Sequence, residues 1–360
     1  MAATRNGNGD GRVVSTGAPA GVPTGTNGAR RVIAIGEVEA GLVRVLCERG
    51  VRGDDATIAA RHLVEGAARG YLHHGVERIF EILDGFERGT LSPAARRRRI
   101  VDGPGLASLD AEHGLGAPAA AEAMGLALEK ARNTGIAAVG VANAGHLGIL
   151  APWAELPAAA GMFGLVMTTT SPAVVVPGGR TAVLGTNPIA YAFPVEGDIV
   201  SVDFSTAATT RSTLLAHRES GEPLPLGLAV DERGVPTVDP EAALRGGLLP
   251  LGGEFKGALL SLLVAVLAGP AVGAAANHRV TGTRWMTAPP TKGDIFIAID
   301  LGQLTDVAHF DEQMRSFFDH VEGDVPGVYV PGEGSQRRRV RAERHGIPVS
   351  ARLAALLSPS

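Results

Sequence analysis

A chain of 360 residues with 45% hydrophobic side chains has the length for two or three domains and enough apolar surface for a large core. Aromatics make up only 4%, so the core has to be built from Ala, Val, Leu and Ile, and 49 glycines with 23 prolines require many turns. A net charge of −4 and a pI near 6.2 give no global electrostatic case for nucleic acid or an anionic membrane, and the single cysteine, Cys47, excludes an intramolecular disulfide and a Cys-rich zinc site.

Residues 1–31 are rich in Gly, Thr, Asn, Pro and Ala. They cannot bury enough surface to offset the entropy of ordering, which predicts a flexible tail, and they lack the apolar run of a secretory signal. Helical spacing begins next. Val38, Leu42, Val45 and Leu46 share one face before the stop at Arg49-Gly50, and Cys47 reads as a small core residue of that helix. Asp54 or Asp55 can cap a second helix carrying Ile58, Leu63 and Ala67. A third runs through Val76, Ile79, Phe80, Leu83 and Phe86 until Gly89 and Pro93 end it. Between the second and third lies Tyr71-Leu-His-His-Gly-Val-Glu-Arg78, two imidazoles and a guanidinium at one bend. A solvated helix junction would look the same, yet such a bend is also where side chains converge on a cleft.

From about residue 100 short strand-like runs alternate with Gly/Pro turns: Leu106–Asp110, Ile136–Val141, Phe163–Thr170, Ile199–Ser205 and Asp294–Asp300. A helix from about Ala119 to Arg132 precedes the second of them, and helix returns near 255–268 and 310–322. Gly257–Ala276 can be mistaken for a membrane span, but its Leu/Val-rich part covers roughly 12 residues before Gly269-Pro270 breaks it, which predicts a buried helix. The protein is therefore expected to be soluble and cytoplasmic, with no membrane or nucleic-acid partner. The Arg96–Arg99 and Arg337–Arg339 runs read as solvated faces or subunit contacts.

Gly114-Leu-Gly-Ala-Pro-Ala119 satisfies the dinucleotide-binding turn GxGxxA. The acidic residue that should hold a ribose about 20 positions on is missing from Val139-Gly-Val-Ala-Asn-Ala-Gly-His146, and no βαβ repeat follows, so a Rossmann fold is rejected. Gly252-Gly-Glu-Phe-Lys-Gly257 has its lysine at the wrong spacing for a phosphate loop of the Walker type. Asn143-Ala-Gly-His-Leu-Gly148 follows a predicted strand directly, and glycines beside His146 let a ligand approach it closely. Gly185-Thr-Asn-Pro188, Val202-Asp-Phe-Ser-Thr206, Gly234–Pro240, Pro250-Leu-Gly-Gly253 and Phe255-Lys-Gly257 are mostly small-residue turns suited to cradling a polar ligand.

In this order the segments resemble the malate/L-lactate dehydrogenase family that is unrelated to the Rossmann enzymes and that also holds ureidoglycolate and sulfolactate dehydrogenases and cyclic imino acid reductases. The resemblance runs from about residue 32 to 348, closing on Pro331-Gly-Glu333 and Gly346-Ile-Pro-Val349. It implies an α+β fold: a helical domain formed by both chain ends plus a non-Rossmann nucleotide-binding domain on a large, mostly antiparallel sheet. The corresponding boundaries are a tail at 1–31, an N-terminal helical domain at 32–105, and a nucleotide-binding domain at 106–255. A mainly helical C-terminal part at 256–350 contains the strand near 294–300, and 351–360 is a second tail. It also implies a homodimer that uses NAD or NADP on a small carboxylate substrate and carries no metal.

Residue by residue, the family's Ser-His-Gly-x-x-Arg segment matches His73-His-Gly-Val-Glu-Arg78. This makes His74 and Arg78 pocket residues, with Arg78 a bidentate clamp for the substrate carboxylate. Asn-His-Phe-Gly matches Gly145-His-Leu-Gly148, so His146 would be the general acid/base, expected near neutral pKa. Thr170, Ser171, Asp203, Phe204, Ser205 and Lys256 match cofactor-contacting stretches, with one residue inserted before Lys256; Asp203 can equally orient a catalytic group. His73 stands where the family has serine, Gly145 where it has asparagine, and Ile82 where many relatives have tyrosine. His73 can take over a proton-relay role of that serine or merely reshape the pocket. The implied reaction moves a hydride between nicotinamide and a 2-hydroxy or 2-oxo carboxylic acid. The alternatives are a reductase of a cyclic 2-carboxy imine and a cofactor-binding homologue that has lost catalysis. A metal hydrolase built on His73, His74 and His146 lacks carboxylate ligands beside the histidines.

Overall fold

A computed structural model describes residues 30–283, 286–325 and 330–358, so the predicted tail lies, up to residue 29, outside the described residues. Strand β1 (Arg31–Ile33) leads into helices α1 (Ile35–Glu48) and α2 (Gly53–Ala68). Val38, Leu42, Val45 and Leu46 of α1 and Ala56, Ala59, Ala60 and Leu63 of α2 recur at helical spacing, and all are buried in one cluster. Cys47 departs from expectation. One step beyond Leu46 the helix has turned by about 100°, and the thiol is exposed. Asp55 does not cap α2 either. It is buried, and both its oxygens accept from Arg97, at 3.0 and 3.1 Å, so one arginine of the 96–99 run points inward.

Two single 3-10 turns, Leu72–His74 and Val76–Arg78, form the bend before α3 (Ile79–Glu87). The bend lies backbone to backbone on α2: a Cβ on Gly66 would stand 2.4 Å from the His74 carbonyl oxygen. Glycine is what permits that approach.

Strands β2 (Arg98–Asp102) and β3 (Leu106–Asp110) are followed by α4 (Gly116–Thr134) and β4 (Ile136–Ala142). Then come α5 (Ala151–Ala159), β5 (Met162–Thr168), the short β6 (Val174–Val175) and β7 (Ala182–Leu184), and the hairpin β8 (Ile189–Val195) with β9 (Asp198–Phe204). Helix α6 (Arg211–Ser220), β10 (Ala229–Val230), α7 (Pro240–Arg245) and β11 (Gly247–Leu248) precede α8 (Phe255–Leu267). The chain continues through β12 (Gly293–Asp300), α9 (Val307–Asp324), α10 (Glu333–His345), β13 (Ile347–Val349) and α11 (Ala351–Leu357).

The large sheet has the order β2-β3-β4-β12-β5-β8-β9. Only β3 and β4 pair in parallel, through α4, so the mostly antiparallel sheet expected above is what forms. Strand β12 inserts between β4 and β5, and Phe296 and Ala298 on it are fully buried, which explains its continuous apolar run. A second sheet, β10-β11-β6-β7, packs its own small cluster around Val174, Leu214 and Leu248. Strands β1 and β13 pair and draw both chain ends together.

Two expectations need correction. Residues 351–357, read as a tail, form α11, and Leu353, Ala354 and Leu357 are buried in the α1–α2 cluster. Helix α8, read as buried, is so on one side only. Gly257, Ala258, Ser261, Val264 and Ala265 face inward, while Phe255, Leu259, Leu262, Leu263 and Val266 are exposed. Small residues bring one face close to the sheet, and the bulk of the apolar side chains is left on the other.

Candidate active site

The loop after β4 carries His146 and is pinned at several points. The Asn143 N–H donates to the Lys292 carbonyl at 3.0 Å, and the Asn143 side chain donates to Asp110 at 3.1 Å. The Gly145 N–H donates to the Gly114 carbonyl at 2.8 Å, and a Cβ on Gly116 would lie 2.4 Å from the Gly145 oxygen. The Gly114-Leu-Gly116 turn that mimics a nucleotide motif is thus occupied by the histidine loop itself. Downstream, one Asp203 oxygen accepts from the N–H groups of Leu150 and Ala151, at 2.8 and 3.1 Å, at the start of α5. These bonds hold the backbone where α5 begins.

His146 Nδ1 accepts the Gly148 N–H at 2.8 Å. A backbone amide only donates, so a neutral His146 carries its proton on Nε2. The ring stacks on His74, with centroids 5.2 Å apart and planes 18° from parallel. Arg78, on the second 3-10 turn, lies 2.7 Å from Glu81 and donates to the carbonyls of His73 and Thr283, both at 3.4 Å. Arg78, Glu81, His62 and His146 line one cavity of about 30 Å³ whose remaining walls include Leu63, Ile82, Leu91, Leu115 and Met286. His73 is exposed and is not among the lining residues. His74 does not line the cavity either and reaches the site through its stack on His146, so of the bend's two imidazoles and guanidinium it is Arg78 that faces the cavity.

Burial is the largest cause holding the His146 pKa well below 6.5, followed by the positive charge of Arg78. The near-neutral value expected from sequence fails because an imidazolium would be desolvated beside a guanidinium and would compete with the Gly148 hydrogen bond. His62 is a second such group, stacked on Trp153 at 4.6 Å and lowered to about 4, chiefly by burial. Its folded pKa lies below the unfolded 6.5, so the unfolded chain takes up a proton first as pH falls. The stability His62 provides is complete above pH 6.5 and lost toward pH 4. The loss amounts to about 3 kcal/mol. His62→Phe, which keeps the stack, is expected to remove that part of the acid sensitivity when urea midpoints at pH 7 and pH 4.5 are compared. An unchanged difference would assign the sensitivity to other groups.

Of the residues matched to cofactor contacts, Thr170, Ser171 and Ser205 belong to a connected series. Thr170 Oγ1 lies 3.1 Å from Thr186 Oγ1 and accepts the Thr186 N–H at 2.8 Å, while Ser205 donates to the Thr186 carbonyl at 3.0 Å. The Leu251 N–H donates to the Thr206 carbonyl, which fixes the Pro250–Gly253 turn against this ladder. Lys256 follows it, exposed in the first turn of α8, and a Cβ on Gly257 would stand 2.1 Å from the Leu251 oxygen. Ser171 Oγ lies 2.7 Å from Thr283 Oγ1, and the Thr283 carbonyl accepts from Arg78, so the ladder reaches the cavity. Hydroxyls, backbone amides and one exposed lysine suit a pyrophosphate and ribose. Phe204 points elsewhere, into the cluster around Met167, Ile189 and Val264. The Gly185–Pro188 turn is legible in the sequence, but the buried hub at its Asn187 is not. Buried Asn187 donates to Ser261 and Asn277, and its oxygen receives the Thr170 N–H.

Lys292 and Asp294 were also missed. Both are buried, with Nζ 2.5 and 2.6 Å from the two carboxylate oxygens, at the start of β12 between the ends of β4 and β5. The signal was present: residues two apart on a strand share a face, and Lys-Gly-Asp opens the run Ile-Phe-Ile-Ala-Ile299. Lys292→Met would leave a buried carboxylate uncompensated and is expected to cost roughly 3–5 kcal/mol, with most of it recovered in Lys292→Met/Asp294→Leu. Urea denaturation of the single and double variants checks this; equal losses in both would mean that packing, not charge, is at stake.

The family model described as malate/L-lactate dehydrogenase matches residues 33–358. The malate/(S)-sulfolactate dehydrogenase of Methanothermus fervidus is 35% identical over 312 residues, covering 87% of this chain and 92% of that protein. The Delta(1)-pyrroline-2-carboxylate/Delta(1)-piperideine-2-carboxylate reductase of Pseudomonas aeruginosa is 33% identical, covering 88% of this chain and 95% of that protein. Among solved structures, the sulfolactate dehydrogenase from Methanocaldococcus jannaschii superposes with a TM-score of 0.86 at 32% identity, over 91% of this chain and 95% of that one.

Proposed function

The chain belongs to the malate/L-lactate dehydrogenase family, and on that premise we propose that it is an NAD(P)-dependent oxidoreductase acting on a 2-hydroxy or 2-oxo carboxylic acid. The observation that carries this reading is the convergence of Arg78 and His146 on one cavity, joined through Thr283 and Ser171 to the Thr170–Thr186–Ser205 ladder. Thr170, Ser171, Ser205 and Lys256 would hold the nicotinamide nucleotide, which supplies or accepts the hydride. Arg78 binds the substrate carboxylate and so fixes the adjacent carbon, an orientation effect. His146 presents Nε2–H to the oxygen on that carbon, where negative charge grows during reduction. His74, stacked on His146, holds the ring plane. The carboxylate also offsets the positive charge of Arg78, one cause of the low His146 pKa, so substrate binding makes His146 a better proton carrier than in the free protein.

A cyclic imine bearing a 2-carboxylate presents the same carboxylate and a C=N in place of C=O. Similarity to the P. aeruginosa reductase makes it the second reading. One experiment tests both: NADH or NADPH is mixed with the protein and a panel of 2-oxo acids and cyclic imino acids, and loss of reduced-cofactor absorbance is followed. Calorimetry that finds no affinity for either nucleotide would remove the oxidoreductase reading altogether.

A further inference from the structure

We propose that the cavity selects a substrate with a single negative charge and an apolar body. Arg78 takes its one carboxylate, Glu81 rejects a second acidic group, and Ile82, Leu91, Leu115 and Met286 receive the carbon chain or ring. The inference rests on the dehydrogenase reading above and narrows its substrate class.

The Glu81 carboxylate lies 2.7 Å from the Arg78 guanidinium, and both side chains line the cavity. Glu81 is three residues further along the chain, in the first turn of α3, a spacing that makes it a neighbour of Arg78. A single carboxylate can share the guanidinium fork with Glu81, because Arg has donors on two edges. A second carboxylate or a sulfonate on the same small molecule would lie within a few ångströms of Glu81 in a partly desolvated space. Like charges at that range lower affinity by on the order of 10²-fold. Ile82, Leu91, Leu115 and Met286 are hydrocarbon or thioether, and His62, held neutral by burial, brings no charge to offset a second anion. The apolar walls favour a methylene chain or a saturated ring, whose burial is stabilising.

The test compares kcat/KM for acids of matched length with reduced nicotinamide: 2-oxobutanoate and 2-oxopentanoate against oxaloacetate and 3-sulfopyruvate, with 1-pyrroline-2-carboxylate as a cyclic monoanion. The expected result is that the best monoanion exceeds both dianions by on the order of 10²-fold, and that Glu81→Gln narrows the gap at least tenfold. Dianions used as well as or better than every monoanion by the native protein would overturn the inference and leave the dehydrogenase reading standing. A gap that Glu81→Gln leaves unchanged would overturn the role of Glu81. Turnover of none of the acids with either nucleotide would bring down the dehydrogenase reading, and this inference with it. Should Glu81→Gln fail to fold, the native comparison still decides.

Discussion

Replacement of His146 by alanine is expected to lower turnover by roughly 10²–10⁴-fold while nucleotide affinity stays close to native. The two effects separate because the imidazole and the hydroxyl ladder sit on different segments. His146 is on the loop after β4, whereas Thr170, Thr186 and Ser205 are tied to one another and to the Asn187 hub. The alanine variant keeps the Asn143, Gly145 and Asp203 contacts that pin the loop, so its folding is expected to survive. Single-turnover rates with saturating reduced nucleotide, beside calorimetric titration of the same nucleotide, check the separation. The pH profile of kcat/KM of the native enzyme should also lack an acid limb near pH 6.5, because burial and Arg78 hold His146 of the free protein neutral well below its ordinary range. A variant with near-native turnover would reduce His146 to a structural residue and move attention to His74, the imidazole stacked on it.

How much of this was legible in the sequence depends on whether a residue's role is set by near or distant neighbours. Helices α1 to α4 and strands β3, β4, β5, β9 and β12 could be read because each carries a full period of apolar side chains. Strands β6, β10 and β11 have two residues each, too few to show any period. Strand β2 hid inside an arginine run because all five of its residues are exposed at the sheet edge. In the site, His74, Arg78 and His146 stood out because nearby glycines mark close approach, and the structure shows it at Gly75, where a Cβ would stand 2.9 Å from Ala67, and at Gly148, where it would stand 2.4 Å from the His62 ring. Glu81 did not, since nothing local sets it apart from an ordinary charged residue, whereas Lys292 had a readable sign in its two-residue spacing to Asp294 at the head of an apolar run. Asp203 and Phe204 belong to one quoted motif, yet alternation along β9 sends one to the start of α5 and the other into an apolar cluster. Thr283 joins Ser171 across 112 residues of chain, a contact no spacing rule contains.

Arg78→Lys is expected to weaken use of carboxylate substrates by about 1.5–3 kcal/mol in kcat/KM, the range for hydrogen bonds to charged groups. Lysine keeps the positive charge but loses the planar fork, so it cannot engage Glu81 and a substrate carboxylate on separate edges. The loss should fall mainly on KM, because what is removed is the grip on a group that does not react. A carboxamide analogue should be a poor substrate of the native enzyme and lose little further in the variant. The His146 environment provides an independent control. Arg78 is the first charge after burial among the causes that depress its pKa. Arg78→Lys retains that charge and should leave the pH profile of kcat/KM where it was, whereas Arg78→Gln removes it and should move the acid limb upward. Clamp and charge are thereby separated on one residue: KM reports the fork and the pH profile reports the cation. If acid and amide lose equally in Arg78→Lys, and Arg78→Gln leaves the pH profile in place, then Arg78 serves the bend through the His73 and Thr283 carbonyls and the substrate is bound elsewhere.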